Sequence, residues 1–209
     1  LDVDKMQIAA MSLTAHKCYG PKGSGCLFVR RRQVPVKSWL VGGGQEFGLR
    51  SGTLPTHQIV GLAAALERCQ ERFEAENTAI LQLRTRLLER LEAGIEQLQV
   101  NGSLSSRAAG NLNVAIPCAD ANTLMMSLPH LAISSGSACN TGATKPSHVL
   151  SAIGVPAELA YCSIRFGIGR FTTAEEIDVA ADAVIEAVAK LRSSSALWEM
   201  RKAGVALDW

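Results

Sequence analysis

The chain has 209 residues, 47% of them hydrophobic and 19% charged, with 21 Lys and Arg against 19 Asp and Glu. That is enough apolar material for one large domain or two small ones, and it argues against disorder except at the ends. A net charge of +2 speaks against nucleic acid or an anionic membrane as partner, and no membrane-length apolar run or signal-peptide pattern is present.

The opening Leu1-Asp2-Val3-Asp4 has no initiator methionine and reads as the middle of a strand-loop-strand unit, so sequence is expected before it. The apolar run Ile8-Ala9-Ala10-Met11 leads into Thr14-Ala15-His16-Lys17-Cys18-Tyr19-Gly20-Pro21-Lys22-Gly23-Ser24-Gly25, and Cys26 to Arg30 reads as a strand. Lys17 is thereby pinned on a partly buried polar turn between a strand-like entry and a strand-like exit. A neutral amine forms Schiff bases, and burial or a cationic neighbour is what keeps an amine neutral. On the residues alone, Lys17 is either such a reactive amine or a surface turn lysine.

Lys37 to Val41 reads as a further strand. The glycines of Gly42-Gly43-Gly44-Gln45-Glu46 and Gly48-Leu49-Arg50-Ser51-Gly52-Thr53-Leu54-Pro55 allow close backbone approach to a ligand or another chain. Arg50, Ser51 and Thr53 combine a cation with two hydroxyls, which suits a phosphate; a plain surface loop is the other reading. Thr56 is placed to cap a helix carrying Ile59, Val60, Leu62, Ala63 and Leu66 on one face. A second helix is expected from about Glu76 to Leu98. Its apolar stripe is Ile80, Leu81, Leu83, Leu87, Leu88, Leu91 and Ile95, with Arg84, Arg86, Glu89, Arg90 and Glu92 on the wet face.

Gly102 to Gly110 is the candidate boundary between two subdomains. Asn111 to Ile116 alternates polar and apolar residues as a half-buried strand does. A short helix over Ala121 to Leu128 and a short strand over Leu131 to Ile133 lead to a long polar loop, Ser134 to Pro146, whose few apolar groups predict poor order. A helix from Ser147 to Ile153, a strand from Tyr161 to Ile168, and a final helix capped by Thr172 or Thr173 with Glu175 and Glu176 in its first turn complete the pattern. A polar hinge after Ser193 precedes a short docked helix around Leu197 to Met200.

The six cysteines, Cys18, Cys26, Cys69, Cys118, Cys139 and Cys162, contain no CxxC pair. They fit neither a zinc site nor a secreted disulfide framework and indicate a reducing, cytoplasmic compartment. Five lie in apolar or strand contexts and are expected to be inert. Cys139 lies on the polar loop and is either an incidental surface thiol or a nucleophile. Arg165, between Ile164 and Phe166 in a strand, is expected to point into an interior, where it either makes a structural salt bridge or takes a ligand carboxylate in its fork. His57, His130 and His148 are scattered singly and suit structural roles better than metal ligation.

Four ordered stretches, TAHKCYGPKGSGCLFVRRR, GGGQEFGLRSGTLP, SSGSACNTGATKPSHVL and IRFGIGRFTTAEEID, closely resemble the C-terminal half or more of the cysteine desulfurases. These are pyridoxal-phosphate enzymes of the class V aminotransferase family, and the length of the cysteine loop resembles the NifS/IscS type. The resemblance implies an α/β fold, the C-terminal portion of a fold-type-I transferase. Residues 1–95 would be the remainder of the large domain with linking helices, and residues 96–209 a small α/β domain carrying the cysteine loop.

The resemblance further implies that Lys17 holds pyridoxal 5'-phosphate as a Schiff base and that Thr14 and His16 contact the cofactor phosphate and its surroundings. Thr53 would reach across a dimer interface to the other subunit's phosphate. Cys139 would be the nucleophile that carries a persulfide, and Arg165 the group that grips the substrate carboxylate. The implied reaction turns L-cysteine into L-alanine for iron-sulfur cluster assembly or other sulfur transfer. The implied partners are a second copy in a homodimer and a sulfur-acceptor or scaffold protein.

The family's preceding segment carries the histidine that stacks on the cofactor ring and the aspartate that meets its nitrogen, so a separate chain supplying an N-terminal half is a further expected partner. The family often has Leu-Glu-Pro where this chain has Thr144-Lys145-Pro146, which exchanges an acid for a base on the surface that meets an acceptor. The alternatives are a selenocysteine lyase, a small-amino-acid aminotransferase, or an inactive fragment that keeps dimerisation or partner binding.

Overall fold

In the computed structural model, which describes residues 2–30, 34–135 and 147–205, the strand expected after the Lys17 turn is the second arm of a hairpin. β1 (Ala10–Thr14) and β2 (Gly25–Val29) pair antiparallel, with Ala10 opposite Val29 and Thr14 opposite Gly25. Ala15–Lys17 make one 3-10 turn between them. The expected strand at Lys37 to Val41 does not form. The Leu40 carbonyl accepts from Ser38 Oγ at 2.9 Å and from Ser51 N at 3.2 Å, so the backbone is satisfied locally and not in a ladder. Trp39 is 95% and Val41 88% exposed. Helix α1 (Thr56–Glu71) is capped at Pro55, and Thr56 is its first helical residue, with no side-chain cap bond. Leu62 is its buried residue, whereas Ile59, Val60 and Ala63 of the expected stripe lie exposed.

These elements belong to one compact unit, Leu1–Phe73; the other is Glu74–Trp209. The division falls at Phe73, and the Gly102 to Gly110 loop lies inside the second unit. Helix α2 (Phe73–Gly94) lays Leu87, Leu88 and Leu91 on that unit's core. Arg84, expected on the wet face, is buried: its Nη2 donates to the Leu104 carbonyl at 3.1 Å and its Nη1 to the Ala108 carbonyl at 3.4 Å. Arg107 donates to the carbonyls of Ser103 and Asn101, and burial together with the neighbouring Arg84 charge lowers its pKa. Two guanidinium groups thus tie the loop down through backbone carbonyls, which hydropathy alone does not reveal.

The sheet of this unit is antiparallel with order β3-β4-β5, made of β3 (Gln99–Val100), β4 (Asn111–Ala115) and β5 (Ser163–Gly167). One face supplies Leu112, Val114, Ile164 and Phe166 to the core, against Ile177, Ala181, Val184 and Val188 of helix α6 (Ala174–Ser193). β4 is buried from Leu112 through Ala115, not alternately wet. The second face accommodates a polar residue, Asn113, because its carboxamide is hydrogen-bonded there. No strand forms at Leu131 to Ile133; Ser134 alone bridges to Arg165.

Short helices fill the connections: α3 (Ala121–Met126), capped by Asp120 Oδ1 on Thr123 N at 2.8 Å, α4 (His148–Ala152) and α5 (Ala157–Tyr161). Thr173 and Glu176 form a reciprocal capping box at the start of α6. On the outside, Arg86 and Arg90 of α2 meet Asp178 and Asp182 of α6, and the Arg86 hydrogen bond and charge hold Asp178 below the usual carboxylate range.

Helix α7 (Ala196–Lys202) docks through Trp198, which is buried with the Arg192 guanidinium carbon 3.8 Å from its ring centroid. Arg192 in turn donates to the Pro117 carbonyl at 2.8 Å and the Glu96 carbonyl at 2.9 Å. One side chain therefore joins α7 to the ends of α2 and β4. Trp198→Ala removes the ring and leaves the guanidinium without its stacking partner. It is expected to destabilise the protein by about 3–5 kcal/mol, a fall of roughly 10 °C in the midpoint of thermal unfolding; a fall under 2 °C would mean α7 is not docked in solution.

Candidate active site

Ala15 is the pivot of the Lys17 turn. It is fully buried; its N–H donates to the Ser24 carbonyl at 3.0 Å, and its carbonyl accepts from Cys18 N and Gly20 N, both at 2.9 Å. Helix α1 holds the turn from behind with one face. Ser24 Oγ donates to the Gln58 carbonyl at 3.3 Å, Gln58 Nε2 to the Lys22 carbonyl at 3.1 Å, and Cys69 Sγ to the Cys18 carbonyl at 3.7 Å. Between them the packing leaves no room for larger groups. A Cβ on Gly61 would stand 2.9 Å from Pro21 Cγ, and one on Gly20 would stand 3.1 Å from the Cβ atoms of Ala15 and Ala65. Positions 58, 61, 65 and 69 share a face because they are three or four apart. Tyr19 takes φ +62°, a left-handed conformation costly for a bulky residue, so the surrounding contacts impose the turn.

This frame sets Lys17 at the end of a clamped turn. The turn is buried at Ala15, but Lys17 itself is exposed, where partial burial was expected. Thr14 Oγ1 and His16 Nδ1 lie 2.9 Å apart, which brings together two of the four expected cofactor residues, directly before Lys17 in the chain. Lys17 has no ion pair among the described residues. An exposed primary amine beside a hydroxyl and an imidazole fits a cofactor that joins an aldehyde to an anionic arm.

Thr53 belongs to the same unit and is exposed. The loop before it is held by Ser51 Oγ on the Gly43 carbonyl at 2.6 Å, Gly52 N on Gln45 Oε1 at 3.1 Å, and Arg50 Nη1 on the Gly52 carbonyl at 3.2 Å. Glu46 and Phe47, at φ +50° and +58°, bend its approach.

Arg165 belongs to the second unit, on β5. Its N–H donates to the Ser134 carbonyl at 2.6 Å, and its carbonyl accepts from Ser134 N at 3.2 Å. The side chain is exposed, not turned into the core as expected, because alternation along β5 gives the core face to Ile164 and Phe166. Cys139 lies outside the described residues, as does the rest of its loop from 136 to 146. Of the other cysteines, burial raises the thiol pKa of Cys18 and of Cys162, in keeping with low reactivity. Cys26 departs from the expectation, since it is exposed on β2. Among the described residues no cluster of three or more His, Cys, Asp or Glu is placed to hold a metal ion, and no helix is long and apolar enough to cross a membrane.

A family model, "Aminotransferase class-V", matches residues 1–179. The chain belongs to the class-V aminotransferase family. Pyridoxal 5'-phosphate is the cofactor of that family and of its NifS and IscS members. The chain is 50% identical over all its 209 residues to a protein named cysteine desulfurase IscS from Pseudomonas aeruginosa, of which it covers 52%. It is 51% identical over the same length to the protein of that name from Tolumonas auensis. The chain thus spans about half the length of the curated relatives it matches.

Among solved structures, a NifS-like protein superposes with a TM-score of 0.80 at 30% identity, over 91% of this chain and 49% of that one. DndA from Streptomyces lividans gives a TM-score of 0.62 at 36% identity, over 78% and 47%. The fold is therefore that of the NifS-like pyridoxal-phosphate transferases, of mixed α/β class.

Two groups of supporting residues were not read from the sequence. Gln58, Gly61, Ala65 and Cys69 lie outside the apolar stripe expected of α1, and of the Asn101, Asn113 and Ser163 cluster only Asn113 was read, as a polar position of an alternating strand.

Proposed function

We propose that the protein to which this chain contributes is a pyridoxal-phosphate-dependent cysteine desulfurase, with Lys17, Cys139 and Arg165 as its acting residues. Residues 1–95 would complete a large cofactor domain with linking helices, the second of which, α2, packs into the core of the small domain formed by residues 96–209. The observation that carries this reading is the Ser134–Arg165 bridge. It ties the strand of a carboxylate-binding arginine to the first residue of the cysteine loop. Cys139 follows Ser134 by five positions, and five residues span at most about 17 Å, so a thiol at that position stays within reach of a substrate whose carboxylate Arg165 holds.

Lys17 would hold the cofactor, with Thr14, His16 and Thr53 at its phosphate and surroundings. Bound pyridoxal phosphate supplies the electron sink that makes the amino acid's Cα proton removable. Arg165 fixes the carboxylate with two parallel hydrogen bonds and so orients the Cα–H bond. Lys17 Nζ would take that proton and return one later. The Cys139 thiolate attacks the substrate sulfur. The new S–S bond forms as the Cβ–S bond breaks, its electron pair stays on the carbon fragment, and that fragment is protonated and leaves as L-alanine. Cys139 keeps the persulfide and passes it to an acceptor or iron-sulfur scaffold protein. A homodimer, with Thr53 contributed across its interface, and a cytoplasmic setting complete the proposal.

Sulfide and alanine released in a one-to-one ratio from L-cysteine, by the chain combined with an N-terminal half and pyridoxal phosphate, with dithiothreitol present to reduce the persulfide, test the reading. Turnover of selenocysteine but not cysteine would favour the lyase, and transamination without sulfide would reject the desulfurase.

A further inference from the structure

Asn101, Asn113, Arg165 and Ser134 stand in one row across the sheet. Asn113 is directly opposite Arg165, Asn101 N donates to the Asn113 carbonyl at 3.0 Å, and Ser134 bridges Arg165 from the far side. Directly opposed residues of an antiparallel ladder share a face. Both backbone groups of Arg165 go to Ser134, so towards β4 it forms the non-hydrogen-bonded kind of pair, in which the Cα atoms are only about 4.5 Å apart and the side chains closest. Asn113 is therefore the side chain best placed to meet the base of Arg165.

The orientation of the Asn113 carboxamide is dictated from outside the row. Ser163 Oγ donates its one proton to the Leu159 carbonyl of α5 at 2.6 Å, so it accepts from what faces it. That group is the Asn101 amide nitrogen, at 2.9 Å. The same nitrogen stands 2.6 Å from Asn113, which must present its oxygen. The Asn113 oxygen is thereby spent on the β3 side, and its Nδ2 is the end left over. Nδ2 has no hydrogen-bond partner among the described residues. The row contains no carboxylate, and Arg165 makes no ion pair among the described residues.

We infer that Asn113 is a positioning residue that keeps the Arg165 guanidinium available for an incoming carboxylate, because the Asn101–Ser163–Leu159 relay turns the carboxamide oxygen beside Arg165 away from it. This rests on the reading of Arg165 as the carboxylate-binding group. A donor facing a donor does not pair, so among the described residues no carboxylate or amide oxygen competes with the ligand for Arg165; Ser134, on the other side of the row, brings only a hydroxyl. Asn113 does not touch the ligand; it withholds an acceptor. An aspartate at this position accepts the same Asn101 hydrogen bond with one oxygen and turns the other towards Arg165. Its shape is nearly unchanged, but the guanidinium is then paired internally. An alanine removes both ends of the amide and provides no competitor.

The test follows the Arg165 side-chain nitrogen signals of the full chain by NMR during titration with 3-mercaptopropionate, a carboxylate without an amine, and with cysteamine, an amine without a carboxylate. In the wild type, 3-mercaptopropionate shifts the Arg165 signals and cysteamine does not. Asn113→Asp is expected to weaken that binding at least tenfold and to show the guanidinium hydrogen-bonded before any ligand is added, whereas Asn113→Ala stays within about threefold of wild type. An Asn113→Asp variant that binds normally overturns the inference, and so does an Asn113→Ala variant that loses binding with its circular dichroism unchanged. If Asn113→Ala fails to fold, the guanidinium signals of Asn113→Asp decide alone. Arg165→Ala separates the two readings: wild-type shifts elsewhere in the chain that persist in this variant mean that Arg165 does not bind the carboxylate, and the functional reading falls first.

Discussion

Cys139→Ser is expected to abolish sulfide release from L-cysteine, by at least about a hundredfold, while leaving amino-acid binding intact. A thiol near neutral pH is in part thiolate, and the thiolate attacks divalent sulfur readily. A serine hydroxyl is not ionised there, and oxygen is a poor nucleophile towards sulfur. Lys17 and Arg165 are untouched by the change, so substrate still perturbs the cofactor spectrum of the complete protein. The two signals should separate on one sample: spectral change retained, sulfide lost.

Alkylation provides an independent check on the same residue. Cys18 and Cys162 are half-buried, which raises their thiol pKa, whereas exposed Cys26 has no such protection and should label alongside Cys139. Peptide mapping after brief iodoacetamide treatment is therefore needed to assign inactivation. Loss of activity should track modification of Cys139 and not of Cys26. Normal sulfide release by the serine variant would remove Cys139 from the reaction and turn the reading towards another pyridoxal-phosphate chemistry.

What the sequence revealed and what it hid divide along physical lines. The Lys17 turn was legible because glycine, proline and polar residues between two apolar runs encode a turn locally. The α6 cap was legible because Thr173 and Glu176 satisfy each other within one turn of helix. The Lys37 to Val41 segment misled because its composition suits a strand, but a strand also needs a partner, and here Ser38 and Ser51 take the backbone acceptor first. Arg84 misled because helical periodicity counts charges as wet. The carbonyls that solvate it come from a loop some twenty positions later, a contact no local pattern contains. Arg165 was singled out as unusual, but its direction was misjudged, since the apolar flanks Ile164 and Phe166 mark the opposite face of the strand. Its row of asparagines needed the register of three strands to be seen at all.

Lys17→Ala should eliminate the reaction and scarcely change stability. Lys17 is exposed and makes no ion pair among the described residues, so its truncation belongs with surface substitutions, within about 0.5 kcal/mol. The shape of the turn comes from Ala15 and from the α1 face of Gln58, Gly61, Ala65 and Cys69, none of which the substitution touches. In the proposed mechanism the chemistry depends wholly on the amine. Without Nζ there is no covalent hold on the cofactor, and the group that moves the Cα proton is lost, itself worth about 10²–10⁴ in rate. Borohydride reduction of the complete protein loaded with pyridoxal phosphate should fix the cofactor on the peptide containing Lys17, and the visible band of the loaded protein should vanish in the alanine variant at an unchanged unfolding midpoint. Two other lysines follow it in sequence, Lys22 beyond the Tyr19 bend and Lys37 before the glycine loop. Cofactor fixed on either of them would overturn the assignment of Lys17.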